Sequence, residues 1–279
     1  MPIHDRGYRR YGGRREPRGR AWWVIARAGL LERVRERRFL ALLLFAWSPF
    51  IVRAVQIYVS ANFTQASFLA PSAGTFREFL DQQSLFLFFV TIYAGSGLIA
   101  NDRRANALQV YLSKPLTRME YVAGKLLTLS IFLTAVTWAP AMLLLLLQVM
   151  FAGSTAFVRD NLFLVPAITV FCSIQVLVSS LAMLALSSLS RSRRFVAIMY
   201  AGVIFFAAAT YQVLRAVTGS TAWAWISPED TFDVLADAIF RVAAGTAMPL
   251  PAAVLALAVL AAGSAFILER RVRAVDIVT

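Results

Sequence analysis

Residues 103–127 read RRANALQVYLSKPLTRMEYVAGKLL, and this charged segment separates two apolar runs of membrane-spanning length. Ala105, Leu108 and Leu112 recur at intervals of three to four residues, which predicts a short helix with one apolar stripe. Pro115 breaks that helix, because proline lacks an amide hydrogen and disfavours helical backbone at the residue before it. A helix followed by a turn is therefore expected between the two spans.

Residues that can act as N-caps precede each of the two predicted helices of this segment. Asn101 or Asp102 is suited to cap the short helix at its start. Thr117 and Glu120 have the spacing of a capping box, in which each side chain satisfies a free backbone donor near the other residue. A second helix is expected to begin at this box and to continue into the membrane.

The segment resembles the cytoplasmic loop of ABC-2-type permeases, the membrane subunits of type-2 ATP-binding-cassette exporters. In that family an apolar short helix, a Lys/Arg-Pro turn, an arginine and a Gly-Lys pair follow the second span. The matching residues here are Ala107-Leu108, Tyr111-Leu112, Lys114-Pro115, Arg118 and Gly124-Lys125. An ordinary positively charged loop on the inner side of the membrane is the alternative interpretation.

The resemblance implies that this loop is a coupling helix that docks on a separate ATPase subunit. In that arrangement an apolar set of side chains fills a groove on the ATPase, and a basic set fixes the position by charge. The apolar set is Leu108, Tyr111 and Leu112, and the basic set is Arg103, Arg104, Lys114 and Arg118, with Pro115 in the turn.

Composition excludes a soluble globular protein. Of 279 residues, 59% are hydrophobic and 15% are charged, and the mean hydropathy is +0.66. The net charge of +13 does not indicate nucleic acid, because the basic residues lie before and between apolar runs. Cys172 and His4 are the single cysteine and histidine, so no disulfide framework, histidine metal site or histidine triad is predicted.

The apolar runs predict an all-α integral membrane protein with six transmembrane helices. About 20 apolar residues cross the hydrocarbon core, and each run is too long for a barrel strand. Pro140 and Pro166 are expected to kink their helices or to mark the helix ends. The six predicted spans cover about residues 39–60, 82–101, 126–151, 162–189, 195–214 and 249–268.

The distribution of arginine and lysine predicts the orientation of the chain. Of 28 basic residues, 23 lie on alternate connections, whereas seven of the 15 acidic residues lie on the others. By the positive-inside rule, both termini and the segment 103–127 face the cytoplasm. A multi-pass protein of the cell membrane is therefore expected.

Both ends of the chain carry basic segments. Residues 1–20 contain seven arginines without periodicity, which predicts a disordered cytoplasmic tail, with a nucleic-acid-binding arm as the alternative. Residues 21–38 predict an amphipathic helix at the inner interface, or a cytoplasmic extension of the first span. Residues 269–279 are expected to form a cytoplasmic tail.

The outer connections also contain helix signals. Thr75 and Glu78 have capping-box spacing, so the second helix is expected to begin there. Ser227 followed by Pro228 predicts a second outer helix between spans 5 and 6, with one apolar face over residues 232–240. This helix is interpreted as interfacial, and it either covers the bundle or takes part in closing an exit.

Polar side chains inside apolar runs mark helix contacts or a transport pathway. Gln148, Gln175 and Ser179 are candidates for lining a pathway, and helix-to-helix hydrogen bonding is the alternative. Arg53 lies 14 residues after Phe39. Its guanidinium group either extends to the outer headgroups or faces a central cavity and holds an anion.

Motifs for ATP binding and for catalysis are missing from the sequence. Ala123-Gly124-Lys125-Leu126 has neither the upstream glycine loop nor the hydroxyl residue of a P-loop, and no hydrolase or zinc-protease motif occurs. The chain is therefore interpreted as a permease that is not an enzyme and holds no cofactor. ATP and magnesium are expected on the partner ATPase.

The predicted assembly follows from the resemblance. Two copies of this permease, or this chain and a related one, would enclose a pathway in the lipid bilayer for ATP-driven export. Two other classes stay open: a membrane anchor or scaffold that uses its basic tail, and a channel or carrier that needs no ATP.

Overall fold

A computed structural model describes residues 20–63, 72–107, 117–151 and 161–272. All regular secondary structure in these ranges is helical. Of the predicted N-terminal tail, only Arg20 is among the described residues. Residues 273–279 of the predicted C-terminal tail also lie outside the described residues. The helix before them continues to Arg271.

Within the described ranges, six helical stretches are long and apolar enough to cross a membrane, which confirms the predicted all-α, six-span fold. Spans 1 to 6 cover Arg37–Asn62, Ala73–Arg104, Arg118–Phe151, Leu164–Leu189, Arg193–Thr218 and Leu250–Arg271. An N-terminal helix, Ala21–Val34, precedes span 1. A short 3-10 helix, Ala222–Ile226, and an α-helix, Pro228–Ile239, connect spans 5 and 6.

Spans 1, 2 and 3 are each interrupted. Span 1 consists of Arg37–Ala46 and Ser48–Asn62, and span 3 consists of Arg118–Val136 and Trp138–Phe151. Span 2 contains Ala73–Val90, a π-helical turn at Thr91–Gly95, and Ala100–Arg104. Proline explains two of these breaks, because its ring clashes with the carbonyl group four residues earlier. Pro49 and Pro140 follow the breaks in spans 1 and 3, which confirms the kink expected at Pro140.

The two ends of the helix bundle differ in charge. We call one the basic end, where Arg37, Arg104, Arg118, Arg193 and Arg271 lie. We call the other the acidic end, where Asp81, Glu229, Asp233 and Asp237 lie. The separation is the one that the positive-inside rule describes, and the cytoplasmic position of the basic end stays a prediction.

Spans 2, 3 and 4 form the centre of the fold, whereas few residues of spans 1, 5 and 6 are buried. The buried apolar side chains form two main clusters. The first, near the basic end, includes Phe39, Leu98, Leu133, Met183 and Val196. The second, near the acidic end, includes Ile57, Phe79, Leu144, Phe171 and Leu257.

The N-terminal helix packs along the first half of span 3. At the crossing, a Cβ atom added to Gly124 would lie 2.7 Å from the carbonyl oxygen of Trp22. Only glycine permits this approach, so the Gly-Lys pair of the sequence has a packing role. Trp22 and Trp23 keep exposed side chains. Insertion of this helix into the headgroup region stays a prediction.

Capping geometry defines the helix starts next to the connections. The Thr117 amide donates to Glu120 Oε2 at 2.9 Å, and the Glu120 amide donates to Thr117 Oγ1 at 3.2 Å, which confirms the predicted capping box. Ser227 caps the helix Pro228–Ile239 as expected. The predicted start of span 2 at Thr75 is wrong: the helix begins at Ala73, because Thr75 Oγ1 accepts from the Ser72 amide at 3.1 Å.

Candidate functional site

The predicted ATPase contact is described in part. Leu108, Tyr111, Leu112, Lys114 and Pro115 lie outside the described residues, so their contact with an ATPase stays a prediction. Three basic members of the set are described, and they flank the connection between spans 2 and 3. Arg103 and Arg104 lie in the last turn of span 2, and Arg118 is the first residue of span 3.

The helix Ala100–Arg104 ends span 2 and turns the chain into the connection. The expectation that Asn101 or Asp102 caps a separate helix is wrong, because the helix already begins at Ala100. Asn106 follows with a φ of 52°, in the left-handed region that asparagine enters more readily than most residues. Arg103 and Arg104 therefore continue span 2.

Asp102 joins the base of span 2 to the base of span 3. Its Oδ2 atom lies 2.7 Å from Lys125 Nζ and accepts a hydrogen bond of 2.7 Å from the hydroxyl group of Tyr121. The side chains of Asp102 and Lys125 are 17% and 13% exposed, so water screens the ion pair weakly. We call these three residues the Asp102 clasp. It fixes the two ends of the connection against each other.

A serine of span 4 supports the broken part of span 2. Ser187 Oγ accepts from the amide nitrogens of Ile99 and Ala100 at 3.1 and 3.0 Å, and it donates to the carbonyl oxygen of Ser96 at 3.0 Å. The break frees these backbone groups, and burial without a partner would be costly. Span 4 thus holds span 2 directly above the connection.

The π-helical turn of span 2 also takes part in a polar network at the basic end. Tyr93 donates its hydroxyl hydrogen to Glu36 Oε2 at 3.0 Å, and Arg33 pairs with Glu36 Oε1 at 2.7 Å. Arg193 of span 5 donates to the carbonyl oxygen of Tyr93 at 2.8 Å. The N-terminal helix, span 2 and span 5 are therefore joined through this π-helical turn. Single π-helical turns within α-helices are frequent at functional sites.

An unbalanced positive charge lies next to the Asp102 clasp. Arg103 lies close enough to Arg191 and Arg271 for their charges to repel. Its buried Nη1 atom has no hydrogen-bond partner among the described residues. An acidic group from outside the chain would offset this repulsion.

Two of the four predicted pathway residues line one cavity. Gln175 and Ser179 of span 4 face a cavity of about 210 Å³ between spans 2, 4, 5 and 6. Arg53 instead pairs with Glu78 at 3.2 Å. Gln148 is buried in span 3 and does not line this cavity. The structure therefore groups Gln175 with Ser179 and separates them from the other two.

An ion cluster joins span 2 to the helix Pro228–Ile239 at the acidic end. Arg77 lies 2.8 Å from Asp237 Oδ1, 3.1 Å from Asp233 Oδ1 and 3.8 Å from Asp81 Oδ2. Burial raises the pKa of Asp233 to about 7, although the positive charge of Arg77 opposes this change. The helix predicted to be interfacial packs against spans 2, 4, 5 and 6.

Sequence reasoning missed several residues that organise the spans. Gln83 donates from Nε2 to the carbonyl oxygen of Ala46, at the break in span 1, at 2.7 Å. Ser187 and Tyr93 were also not predicted. Gly95 and Gly97 flank Ser96 at the break in span 2, but nothing in the sequence alone assigns Ser187 to it.

Comparison with known families agrees with this architecture. Residues 23–271 match the model of a family described as ABC-2 family transporter protein. The match begins in the N-terminal helix and ends in the last turn of span 6. No curated protein matches the chain.

Proposed function

Because the chain belongs to the ABC-2 family of transporter proteins and is the transmembrane permease component of an ABC transporter, we propose that it forms the pathway for ATP-driven export. A separate ATPase subunit with bound ATP and magnesium supplies the energy. Two permease copies, or this chain and a paralogue, enclose the pathway. The basic end and both termini face the cytoplasm of the cell.

The Asp102 clasp is the observation that carries this proposal. A connection that transmits force from an ATPase must be attached firmly to the spans that it moves. Asp102, Tyr121 and Lys125 join spans 2 and 3 at the two ends of residues 103–117. A displacement of the connection would therefore move the adjoining ends of both spans together instead of only bending a loop.

The interrupted part of span 2 provides a position at which such a displacement would bend the span. The π-helical turn and the backbone held by Ser187 lie directly before Arg103 and Arg104. The break leaves fewer backbone hydrogen bonds within the helix than a regular helix would have. We infer that the short helix Ala100–Arg104 moves with the ATPase while the rest of span 2 bends at the break.

Charge supports the position of the partner. Arg104 and Arg118 are exposed beside the connection, and the Arg103 charge is repelled by Arg191 and Arg271. An acidic surface on the ATPase would bind these groups and relieve the repulsion. The exposed apolar side chain of Met119 lies in the same first turn of span 3 and adds an apolar contact.

The test is co-purification and turnover of the partner ATPase with the native chain and with loop variants. Arg103→Glu/Arg104→Glu and Leu112→Asp should lose the ATPase or its transport-coupled turnover. Arg27→Glu/Arg35→Glu is the matched control, because it makes the same charge change on exposed residues of the N-terminal region. This control should keep the ATPase.

The other two classes predict different results in the same assay. If the protein is an anchor, deletion of residues 1–20 abolishes function and the loop variants behave as the native chain. If it is a channel or carrier, reconstituted protein transports without any ATPase. Native co-purification with a P-loop protein, together with loss in both loop variants, would contradict both alternatives.

A further inference from the structure

The cavity between spans 2, 4, 5 and 6 is apolar along most of its wall. Leu87, Val178, Val203, Leu260 and Ile267 contribute aliphatic side chains. Its volume of about 210 Å³ suits a compact molecule with one or two rings. Apolar walls with a few convergent polar groups are the usual form of a small-molecule site.

One polar atom on this wall has no partner. Gln175 is 4% exposed, and its Oε1 atom accepts no hydrogen bond within the described part of the chain. A buried amide oxygen without a donor costs about 1–3 kcal/mol, so it is rarely left in this state without a reason. Gln175 lines the cavity, which places this free acceptor where a bound molecule would reach it.

A carboxylate also lines the same cavity. Glu229 is in the first turn of the helix Pro228–Ile239 and makes no ion pair among the residues that the structure describes. Burial, together with the nearby charges of Asp230 and Asp81, raises its pKa. Burial and the neighbouring carboxylates therefore both disfavour the ionised form of Glu229.

A smaller cavity adjoins the first one towards the acidic end. The two cavities share Ser84, Gln175, Glu229 and Phe232 in their walls. The smaller cavity adds Asp81, Asp233 and Arg77. Arg77 is already paired with several carboxylates, so the wall of the combined space has an excess of negative charge.

We propose that this cavity binds a lipophilic organic ammonium ion, with its apolar body between spans 2, 4, 5 and 6 and its N–H groups on Glu229 and Gln175. The ammonium group donates a hydrogen bond to the free Gln175 Oε1. It also forms an ion pair with the Glu229 carboxylate. The aliphatic wall accepts the rest of the molecule. A carboxylate of the same shape would meet two acceptors and an excess of negative charge.

Binding to this site does not require transport. The residues that line the cavity belong to one copy of the chain. Export of the bound ion would rest on the proposed permease function, whereas binding would not. The test is therefore a binding measurement on the purified chain without ATPase or ATP.

The experiment compares two probes by equilibrium dialysis against protein in phosphatidylcholine nanodiscs, with empty nanodiscs as the blank. The probes are 2-(1-naphthyl)ethylamine and 3-(1-naphthyl)propanoic acid, which share the ring system and differ in the charge of the end group. Saturable binding of the amine is expected, with an affinity about tenfold or more above that of the acid. Gln175→Leu and Glu229→Gln should each weaken amine binding about tenfold, the loss expected for one charged hydrogen bond.

Two matched variants show whether such losses are local. Gln148→Leu removes a buried glutamine of span 3 that does not line the cavity, and Glu78→Gln removes a carboxylate from the same end of the molecule. Both should bind the amine as the native chain does. Gln175→Glu should bind the amine more tightly, and thermal unfolding confirms that each variant is folded.

Three results would overturn the proposal. Equal affinity for the amine and the acid would show partition into an apolar space without recognition. Native affinity in folded Gln175→Leu and Glu229→Gln would place the amine elsewhere. An absence of saturable amine binding would show that the cavity does not bind the amine.

Discussion

Ser187 Oγ in span 4 lies 3.0 Å from the amide nitrogen of Ala100 in span 2 and accepts its hydrogen bond. The same hydroxyl group donates to the Ser96 carbonyl oxygen, on the other side of the break in span 2. One side chain thus supplies hydrogen bonds that an uninterrupted helix would form within itself. In a lipid environment no water replaces such bonds, so span 2 tolerates its break only beside span 4.

Ser187→Ala should therefore destabilise the protein by about 1–3 kcal/mol, because it leaves buried backbone groups without a partner. Ser188→Ala is the matched control. Ser188 is equally buried, but its hydroxyl group donates only to the Ala185 carbonyl oxygen of its own helix. Thermal unfolding measures the stability, and hydrogen exchange should be faster at the Ile99 and Ala100 amides. Equal stability of the two variants would contradict a supporting role for Ser187.

The six spans were predictable because burial in lipid requires long uncharged runs, which the sequence shows directly. The interruption of span 2 was not predictable in the same way. Residues 82–101 carry no charge, and the backbone of residues 96–100 at the break is held by Ser187, which is distant in sequence. Pro140 gave a local signal for the break in span 3, whereas Gln83 gave none for its bond to Ala46.

The close crossing of the N-terminal helix and span 3 predicts a strong effect of a single methyl group. In Gly124→Ala the new Cβ atom would lie 2.7 Å from Trp22 O and 2.8 Å from Ile25 Cβ. Overpacking of this kind costs about 1–3 kcal/mol, so the thermal midpoint should fall. Gly202→Ala in span 5 is the control, since a Cβ atom there meets nothing within 4 Å. A fall of equal size in both variants would show a general intolerance of alanine.

The Asp102 clasp predicts coupling between its two charged members. Asp102→Asn leaves Lys125 partly buried without its counter-charge, and removal of one partner of a buried pair costs about 3 kcal/mol. Asp102→Asn/Lys125→Met removes both charges and should recover part of the lost stability. A double-mutant cycle by chemical unfolding measures the interaction, and single effects that simply add would contradict the clasp.

The pair of Arg53 and Glu78 is the natural comparison for this cycle. Its Glu78 side chain is 63% exposed, so water screens the interaction. Exposed pairs contribute about 0–1 kcal/mol. A Glu78→Gln variant should therefore lose little stability by the same measurement, in contrast with Asp102→Asn.

Only those features of the candidate site that depend on neighbouring residues in the sequence were predictable. The charged segment between spans 2 and 3 stands out by composition, and its Thr117 cap is confirmed. The grouping of Gln175 and Ser179 on one cavity wall agrees with the spacing of four residues along one helix face. That Glu229 lies opposite them could not be read from the sequence, because the position of a connecting helix depends on tertiary packing.

Asp233 predicts a pH dependence at the acidic end. Burial raises its pKa from the ordinary value of 3.8 to about 7, with Asp81, Asp230 and Asp237 adding to the effect and Arg77 opposing it. The folded protein therefore binds a proton at Asp233 more tightly than the unfolded chain does. The resulting stability is fully present below about pH 4 and is lost as the pH rises through about 7.

Asp233→Asn removes this contribution, because its amide stays neutral at every pH. The thermal midpoint of the native protein minus that of the variant should fall between pH 4 and pH 7 and stay constant above that range. Asp233→Ser removes the same carboxyl group with a different replacement and should give the same pH dependence. A difference that does not change with pH would mean that Asp233 has an ordinary pKa and stays ionised beside Arg77, so that the two form a permanent ion pair between span 2 and the helix Pro228–Ile239.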